Sequence, residues 1–264
     1  MYNPFHRLSQ AEREDNIALL KNVTFIIKTF ERPEALNRLL ASIHHHLGYA
    51  GQAIAILVAD DSREPRPSSR NVGLNVMHYP LPFDVGLSSG RNYLLSMIAT
   101  DYLLLLDDDF VFTRHTDIPA LYNAMQAHPE VDILAGSVLN KRRKVNYNCT
   151  FKFTGDTLYQ VQAPYLVHDG LKYYDAVVNF FLAKTESVRK IRWKDELKTS
   201  EHTAFFLDCY RAGLICAELP EVSVLHRKMS HAFYNQYRRD RVEEFAAKFR
   251  EIYNINRIVQ TKAQ

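Results

Sequence analysis

Three consecutive aspartates, Asp107-Asp108-Asp109, directly follow the apolar run Tyr102-Leu103-Leu104-Leu105-Leu106. Like charges about 4 Å apart repel by roughly 1 kcal/mol in water and about 4 kcal/mol at an effective dielectric of 20, so a buried triplet requires a cation or a proton. Strand alternation would place Asp107 and Asp109 on one side and Asp108 on the other. Hard oxygen ligands at this density suit Mg²⁺ or Mn²⁺, and such a cation suits a diphosphate. A solvated acidic turn is the plain alternative, because turns are rich in Asp. Two more polar clusters, Lys28-Thr29-Phe30-Glu31-Arg32 and Asp60-Asp61-Ser62, also follow apolar runs, and His226 follows a late one.

The elements that must position these groups are legible as runs and periods. Residues 23–27, 54–59 and 102–106 are continuous apolar stretches of strand length, with a shorter strand near 76–78. Between them, Leu36, Leu39, Leu40, Ile43 and Leu47 have helical spacing behind Pro33 and before Gly48, and 91–99 reads as a second helix. Strands that are apolar throughout and alternate with helices indicate a mostly parallel sheet covered on both faces. Ligands bind outside the carboxyl ends of such strands, so the three polar clusters should gather at one edge. Helices are expected at 11–21, 116–128, 201–212 and from about 240, strands at 131–135, 176–182 and 221–225, and antiparallel strands within 148–167. No internal repeat or linker marks a boundary, so residues 1–264 read as one domain.

Composition excludes several classes. In 264 residues the apolar share is 47% and the charged share 24%, which rules out disorder and a disulfide scaffold. Lys+Arg 33 against Asp+Glu 30 leaves +3, too balanced for a dedicated nucleic-acid binder. Cys149, Cys209 and Cys216 show no metal-ligand spacing, and no signal-like or membrane-spanning apolar run occurs, so a cytoplasmic setting is expected. His44-His45-His46 resembles a metal site only superficially, since adjacent helical residues point apart.

The spaced strings Lys28-Thr29-Phe30-Glu31-Arg32, Val58-Ala59-Asp60-Asp61-Ser62, Gly86 with Gly90-Arg91-Asn92, and Leu106-Asp107-Asp108-Asp109-Phe110-Val111-Phe112 resemble inverting nucleotide-sugar glycosyltransferases of the GT-A fold. So do Asp175 with residues 177–183, and Phe205-Phe206-Leu207-Asp208. The chain is most similar to the catalytic domain of ganglioside-type β-1,4-N-acetylgalactosaminyltransferases and their bacterial relatives, over roughly residues 22–228. The resemblance implies an α/β GT-A fold, with a mostly parallel central sheet flanked by helices and a smaller antiparallel region on the acceptor side. It implies a nucleotide-binding half at 22–112 and an acceptor-binding half at 113–264.

On that resemblance Asp109 and His226 would ligate the metal, Mn²⁺ being better suited than Mg²⁺ to a histidine beside carboxylates. Asp107 and Asp108 would hold the ribose and the metal's water shell. Thr29, Arg32 and Asp60 or Asp61 would grip the uracil, Arg91 would sit near the nucleotide, and Asp175 and Asn179 would lie under the donor sugar. The donor would be a UDP-sugar, with N-acetylgalactosamine the first choice, and the acceptor a saccharide or glycolipid.

Inverting transfer also needs a base for the acceptor hydroxyl. Glu201, at the start of a helix, occupies the expected place, although the vertebrate enzymes carry their acidic residue one turn later, where this chain has Ala204. Asp208 is the rival. Trp193 could stack on an acceptor sugar or belong to the core. Lys141-Arg142-Arg143-Lys144 and the basic tail from Arg227 are candidates for contact with diphosphate, a phosphorylated acceptor or the inner membrane face, against the plain reading of solvated surface. Two other functions fit parts of the pattern: a haloacid-dehalogenase-like phosphatase with Asp107 as nucleophile, and a catalytically inactive sugar-nucleotide-binding module.

Overall fold

The computed structural model describes residues 17–67, 73–141, 143–145 and 147–262, with the side chains of 49 and 50 left aside. The expected lead-in helix lies mostly outside the described residues; only its last turn, 17–20, is helical. The strands are β1 (Val23–Thr29), β2 (Ala55–Asp60), β3 (Asn75–Pro80), β4 (Tyr102–Asp107), β5 (Phe110–Val111), β6 (Ile133–Asn140), β7 (Arg143–Lys144), β8 (Thr150–Thr154), β9 (Thr157–Gln162), β10 (Leu166–His168), β11 (Leu171–Tyr174), β12 (Phe181–Lys184), β13 (Cys216–His226) and β14 (Arg257–Lys262). The helices are α1 (Pro33–Leu47), α2 (Leu87–Met97), α3 (Ile118–Ala127), α4 (Thr185–Ile191), α5 (Glu201–Arg211), α6 (Ala232–Arg238) and α7 (Val242–Tyr253).

The large sheet runs β10-β11-β13-β6-β12-β4-β1-β2-β3, with β5 on β13 and β7 on β6. Strands β4, β1, β2 and β3 are parallel. β12 enters antiparallel between β4 and β6, which makes the sheet mixed. Because β1 is fully buried and pairs on both sides, its register fixes the site: Lys28 lies opposite Asp107 on one side and Ala59 on the other, and Thr29 lies opposite Asp60. Pro at the first turn starts α1, and Gly48 at φ 56 ends it with its N–H on the His44 carbonyl.

Several expected elements move. Of the strand expected at 176–182 only Phe181 and Leu182 are extended ladder, as the start of β12; residues 177–180 form a loop in which the Asn148 side chain accepts the Val178 N–H at 2.9 Å. The strand expected at 221–225 is the end of the eleven-residue β13, and it is not the last. β14 follows α7 and pairs parallel with β9, so the smaller sheet β14-β9-β8 is mixed instead of wholly antiparallel. The second helix starts at Leu87, earlier than expected, because Gly86 takes φ 98 at its N-cap. No described helix is long and apolar enough to cross a membrane.

Candidate active site

At the carboxyl edge of β4, β1 and β2, Asp61, Asp107, Asp108 and Asp109 each meet a Lys or Arg side chain. Strand alternation does not govern the acidic triplet, because β4 ends at Asp107 and the chain turns at Asp108 and Asp109. Arg32, just before α1, therefore reaches both: its Nε and Nη2 donate to Asp108 and its Nη1 to Asp109 at 3.0 Å. Asp108 also accepts the Thr29 hydroxyl at 2.7 Å. Burial pushes the Asp108 carboxyl up to about 6 against the pull of Arg32, and burial raises Asp107 as well. Asp109 stays below the usual range despite its burial, because His226 and Arg32 bind it.

Arg91, 1% exposed on α2, bridges Asp107 at 3.1 Å and Glu201 at 3.0 Å. One turn of β-edge further on, Asp61 is fully enclosed by Lys28, the Gly86 N–H at 2.8 Å and Arg238 at 3.3 Å. A side chain at Gly90 would collide with the Lys28 stem, so that glycine is what lets the lysine lie along the helix. Burial lowers Lys28 to about 8, with Asp61 opposing the shift. Asp60 binds Ser62 and His78, at 3.0 and 3.1 Å. Asp60 and Asp61 thus tie this edge together, and their oxygens are engaged by the protein's own donors.

The segment after His226 crosses this edge. Met229 O accepts from Arg32 at 3.1 Å, His231 meets the Glu31 carbonyl at 2.8 Å, and the Tyr234 ring lies 4.4 Å from the Arg32 guanidinium carbon. Tyr237 packs edge-on against Phe30 and Phe83, and Arg238 sits 4.3 Å over Phe30. None of α6 was visible in the periodicity of the sequence; the clue was only the aromatic and basic density of 233–241.

Beside the ion-paired edge opens a cavity of about 320 Å³. Asp107, His226, Asn179, Gln160 of β9, Gln260 of β14 and His202 of α5 all line it. Gln160 and Gln260 face each other at 3.4 Å. Sequence reasoning missed both glutamines and His202's place in the cavity wall, since the glutamines meet only through a strand pairing a hundred residues apart. Asp175, expected under the donor sugar, gives its carboxylate to the Phe151 N–H at 2.6 Å.

The remaining candidates separate by position. Asp208 faces away from the cavity toward Tyr253 at 2.9 Å and Lys194 at 3.3 Å, which removes it as a base. Trp193 is 4% exposed and stacked 4.6 Å from Phe205, so it belongs to the core. His46 is buried against Phe112, whereas His44 and His45 point outward. Arg142 lies outside the described residues. Arg38, Lys141, Arg227 and Lys228 line a groove that shares His226 with the cavity. Tail cations are largely engaged: Arg238 and Arg241 with Asp84, Lys248 with Glu244, Arg250 with Glu243.

Among the described residues no three His, Cys, Asp or Glu side chains form a self-sufficient metal cage. Asp109 Oδ2 and His226 Nε2 lie 3.2 Å apart, and their contact raises the histidine's pKa. One carboxylate and one imidazole at this distance are a donor pair that suits a divalent cation with its remaining positions open to other ligands.

Comparison with known proteins decides the family. Residues 24–182 match glycosyl transferase family 2. The chain belongs to that family. Beta-1,4 N-acetylgalactosaminyltransferase 2 of Mus musculus is 33% identical over 208 residues, which is 78% of this chain and 39% of that protein. Beta-1,4 N-acetylgalactosaminyltransferase 1 of Rattus norvegicus is 35% identical over 209 residues, 73% of this chain and 36% of that one. The chain therefore spans about two fifths of the length of these relatives. The structure of S. aureus TarS 1-349 in complex with UDP-GlcNAc superposes with a TM-score of 0.63 at 17% identity, over 87% of this chain and 65% of that one. The fold is GT-A. Membership of this glycosyltransferase family disfavours the phosphatase reading, whose nucleophile would sit on a first strand, whereas Asp107 ends the fourth.

Proposed function

We propose that this glycosyl transferase family 2 chain moves an N-acetylhexosamine, N-acetylgalactosamine as first choice, from UDP to a hydroxyl of a saccharide or glycolipid, with inversion at the anomeric carbon. The observation that carries this reading is the junction of two surfaces: a strand edge where Arg32 clamps the acidic triplet, and a neutral, amide-lined cavity that begins at Asp107 and His226. The names of the relatives support the sugar, and the UDP-GlcNAc bound by the TarS structure supports the donor class.

Residues 22–112 hold the nucleotide and 113–264 shape the acceptor side. Thr29, Arg32, Asp60 and Asp61 form the floor under the uracil, Asp107 and Asp108 face the ribose, and Arg91 fixes Asp107 from beneath. Asp109 and His226 would hold Mn²⁺ or Mg²⁺, which supplies charge neutralisation for the departing diphosphate. Asn179 reads donor-sugar hydroxyl or acetamido groups from the cavity wall. The start of α5 provides the acceptor's base. Peripheral contact with an anionic membrane face falls to Lys141, Arg143, Arg227 and Lys228, which are exposed, and less to the tail.

The test is nucleotide release from a panel of UDP-, GDP- and CMP-sugars with Mn²⁺ or EDTA, beside the Asp109→Ala variant. Metal-dependent UDP release from one donor, lost in the variant, is expected. Absence of UDP binding by calorimetry would overturn the reading, and UDP binding without release under any acceptor would favour an inactive binding module.

A further inference from the structure

The first turn of α5 presents two adjacent titratable side chains to different surroundings. Glu201 is 4% exposed and turned into the ion-paired edge, where Oε1 accepts from Arg91 at 3.0 Å. His202 and Thr203 are the residues by which this turn lines the cavity, which Asp107, Asn179 and His226 also line. Adjacent positions on a helix point about 100° apart, so both side chains cannot face the same space.

We propose that His202, and not Glu201, is the general base that takes the proton of the acceptor hydroxyl; this rests on the glycosyltransferase reading of the same cavity. The ring is pre-oriented for the task. Its Nε2 lies 2.9 Å from the Val177 carbonyl, an acceptor only, so Nε2 carries the hydrogen and Nδ1 keeps the lone pair. Phe206 and Tyr147 flank the imidazole, with ring centroids at 5.1 and 6.4 Å.

Burial lowers its pKa below the ordinary 6.5, so the neutral form prevails at neutral pH. The charged groups that bear on it are Glu201, which opposes that shift, and Arg91, which adds to it; Asp107 and His226 line the same cavity. In the step itself the acceptor O–H bond breaks and its proton moves to Nδ1. The acceptor oxygen forms the new bond to the anomeric carbon, and the bond from that carbon to the phosphate oxygen breaks with its electron pair leaving on the diphosphate. The imidazolium so formed lies next to the Glu201 carboxylate and later passes its proton to water. Glu201 is thereby a positioning residue: it holds Arg91 against Asp107 and biases His202 toward accepting charge.

The experiment measures UDP release from UDP-N-acetylhexosamines with water and with a panel of mono- and disaccharide acceptors, from pH 5 to 8, alongside UDP binding by calorimetry. His202→Asn should lose roughly 10²- to 10⁴-fold in kcat while retaining UDP affinity. The wild-type rate should show an acid limb with a midpoint below pH 6.5 that is absent from the variant. Added imidazole should restore part of the rate of His202→Ala. Glu201→Gln should lose less than about tenfold at neutral pH and shift the acid limb to lower pH, because the carboxylate that raises the histidine's pKa is gone. Turnover and acid limb kept in His202→Asn but lost in Glu201→Gln would overturn the proposal and return the role to the carboxylate. A wild-type chain that binds no UDP-sugar would instead overturn the glycosyltransferase reading beneath it.

Discussion

The ion-paired strand edge and the cavity beside it are built by opposite means. At the edge each carboxylate is held by a cation or a hydrogen-bond donor: Asp61 by Lys28 and Arg238, Asp108 by Arg32, Asp107 by Arg91, Asp109 by His226. The cavity adds three amides, Asn179, Gln160 and Gln260, among Val138, Val145, Ala176 and Val178, beside His202, Thr203 and Tyr147. A diphosphate needs charge held rigidly in place before it arrives, whereas a sugar needs neutral donors and acceptors whose desolvation costs little. Under the proposed function the fold separates the two tasks by position: the ends of the buried parallel strands carry the carboxylates, and β9, β14 and the loop 177–180 carry the amides.

The comparison breaks most visibly at Arg91. Replacing it by Met leaves Asp107 and Glu201 without their shared partner, and about 3–5 kcal/mol of stability should go, read as a lower urea midpoint. A loss under about 1 kcal/mol would mean the edge is not held by its ion pairs. Next comes Asp109→Ala, expected to lower UDP release roughly 10²- to 10³-fold, or about 3–4 kcal/mol, with little change in the thermal midpoint.

A third change tests acid sensitivity on the nucleotide side away from the edge. Burial lowers the His46 imidazole from 6.5 to about 4. The unfolded chain therefore binds more protons across that interval, and stability present above pH 6.5 is lost as the pH falls toward 4. Between pH 7 and 5 this should amount to about 2 kcal/mol, and His46→Phe should remove it from the pH dependence of the melting temperature. The smallest effect sharpens the contrast: Gln260→Ala should cost about 1 kcal/mol in kcat/KM for the sugar substrates and leave UDP affinity unchanged. Equal weakening of UDP would show that the amide wall also serves the nucleotide.

What the sequence showed follows the same division. The apolar runs of β1, β2 and β4 and the helical stripe of α1 are local patterns, so their order and the gathering of Lys28, Asp60 and Asp107 at one edge could be read directly. The α5 boundary and His226 were equally local. Contacts made at long range left no such trace. Arg238 meets Asp61 at a separation of 177 residues, and no periodicity near either residue announces it. Residues 176–180 are as apolar as a strand, yet they bend because the Asn148 side chain and the Cys149 backbone take their hydrogen bonds. Glu201 was singled out by residue type at a helix start; which way it faces depends on Arg91, 110 residues earlier.

The parallel pairing of β14 with β9 has a consequence in time. Arg257 aligns with Thr157, so the strand that supplies Gln260 is made a hundred residues after its partner. At about 5–20 residues per second of synthesis, that interval is roughly 5–20 s, during which one edge of β9 waits unpaired. The parallel pairing of β1 with β2 and β4 can be made long before then. The Gln160–Gln260 pair therefore forms only after β14 is made, and until then the β9 edge is open to pairing with another chain.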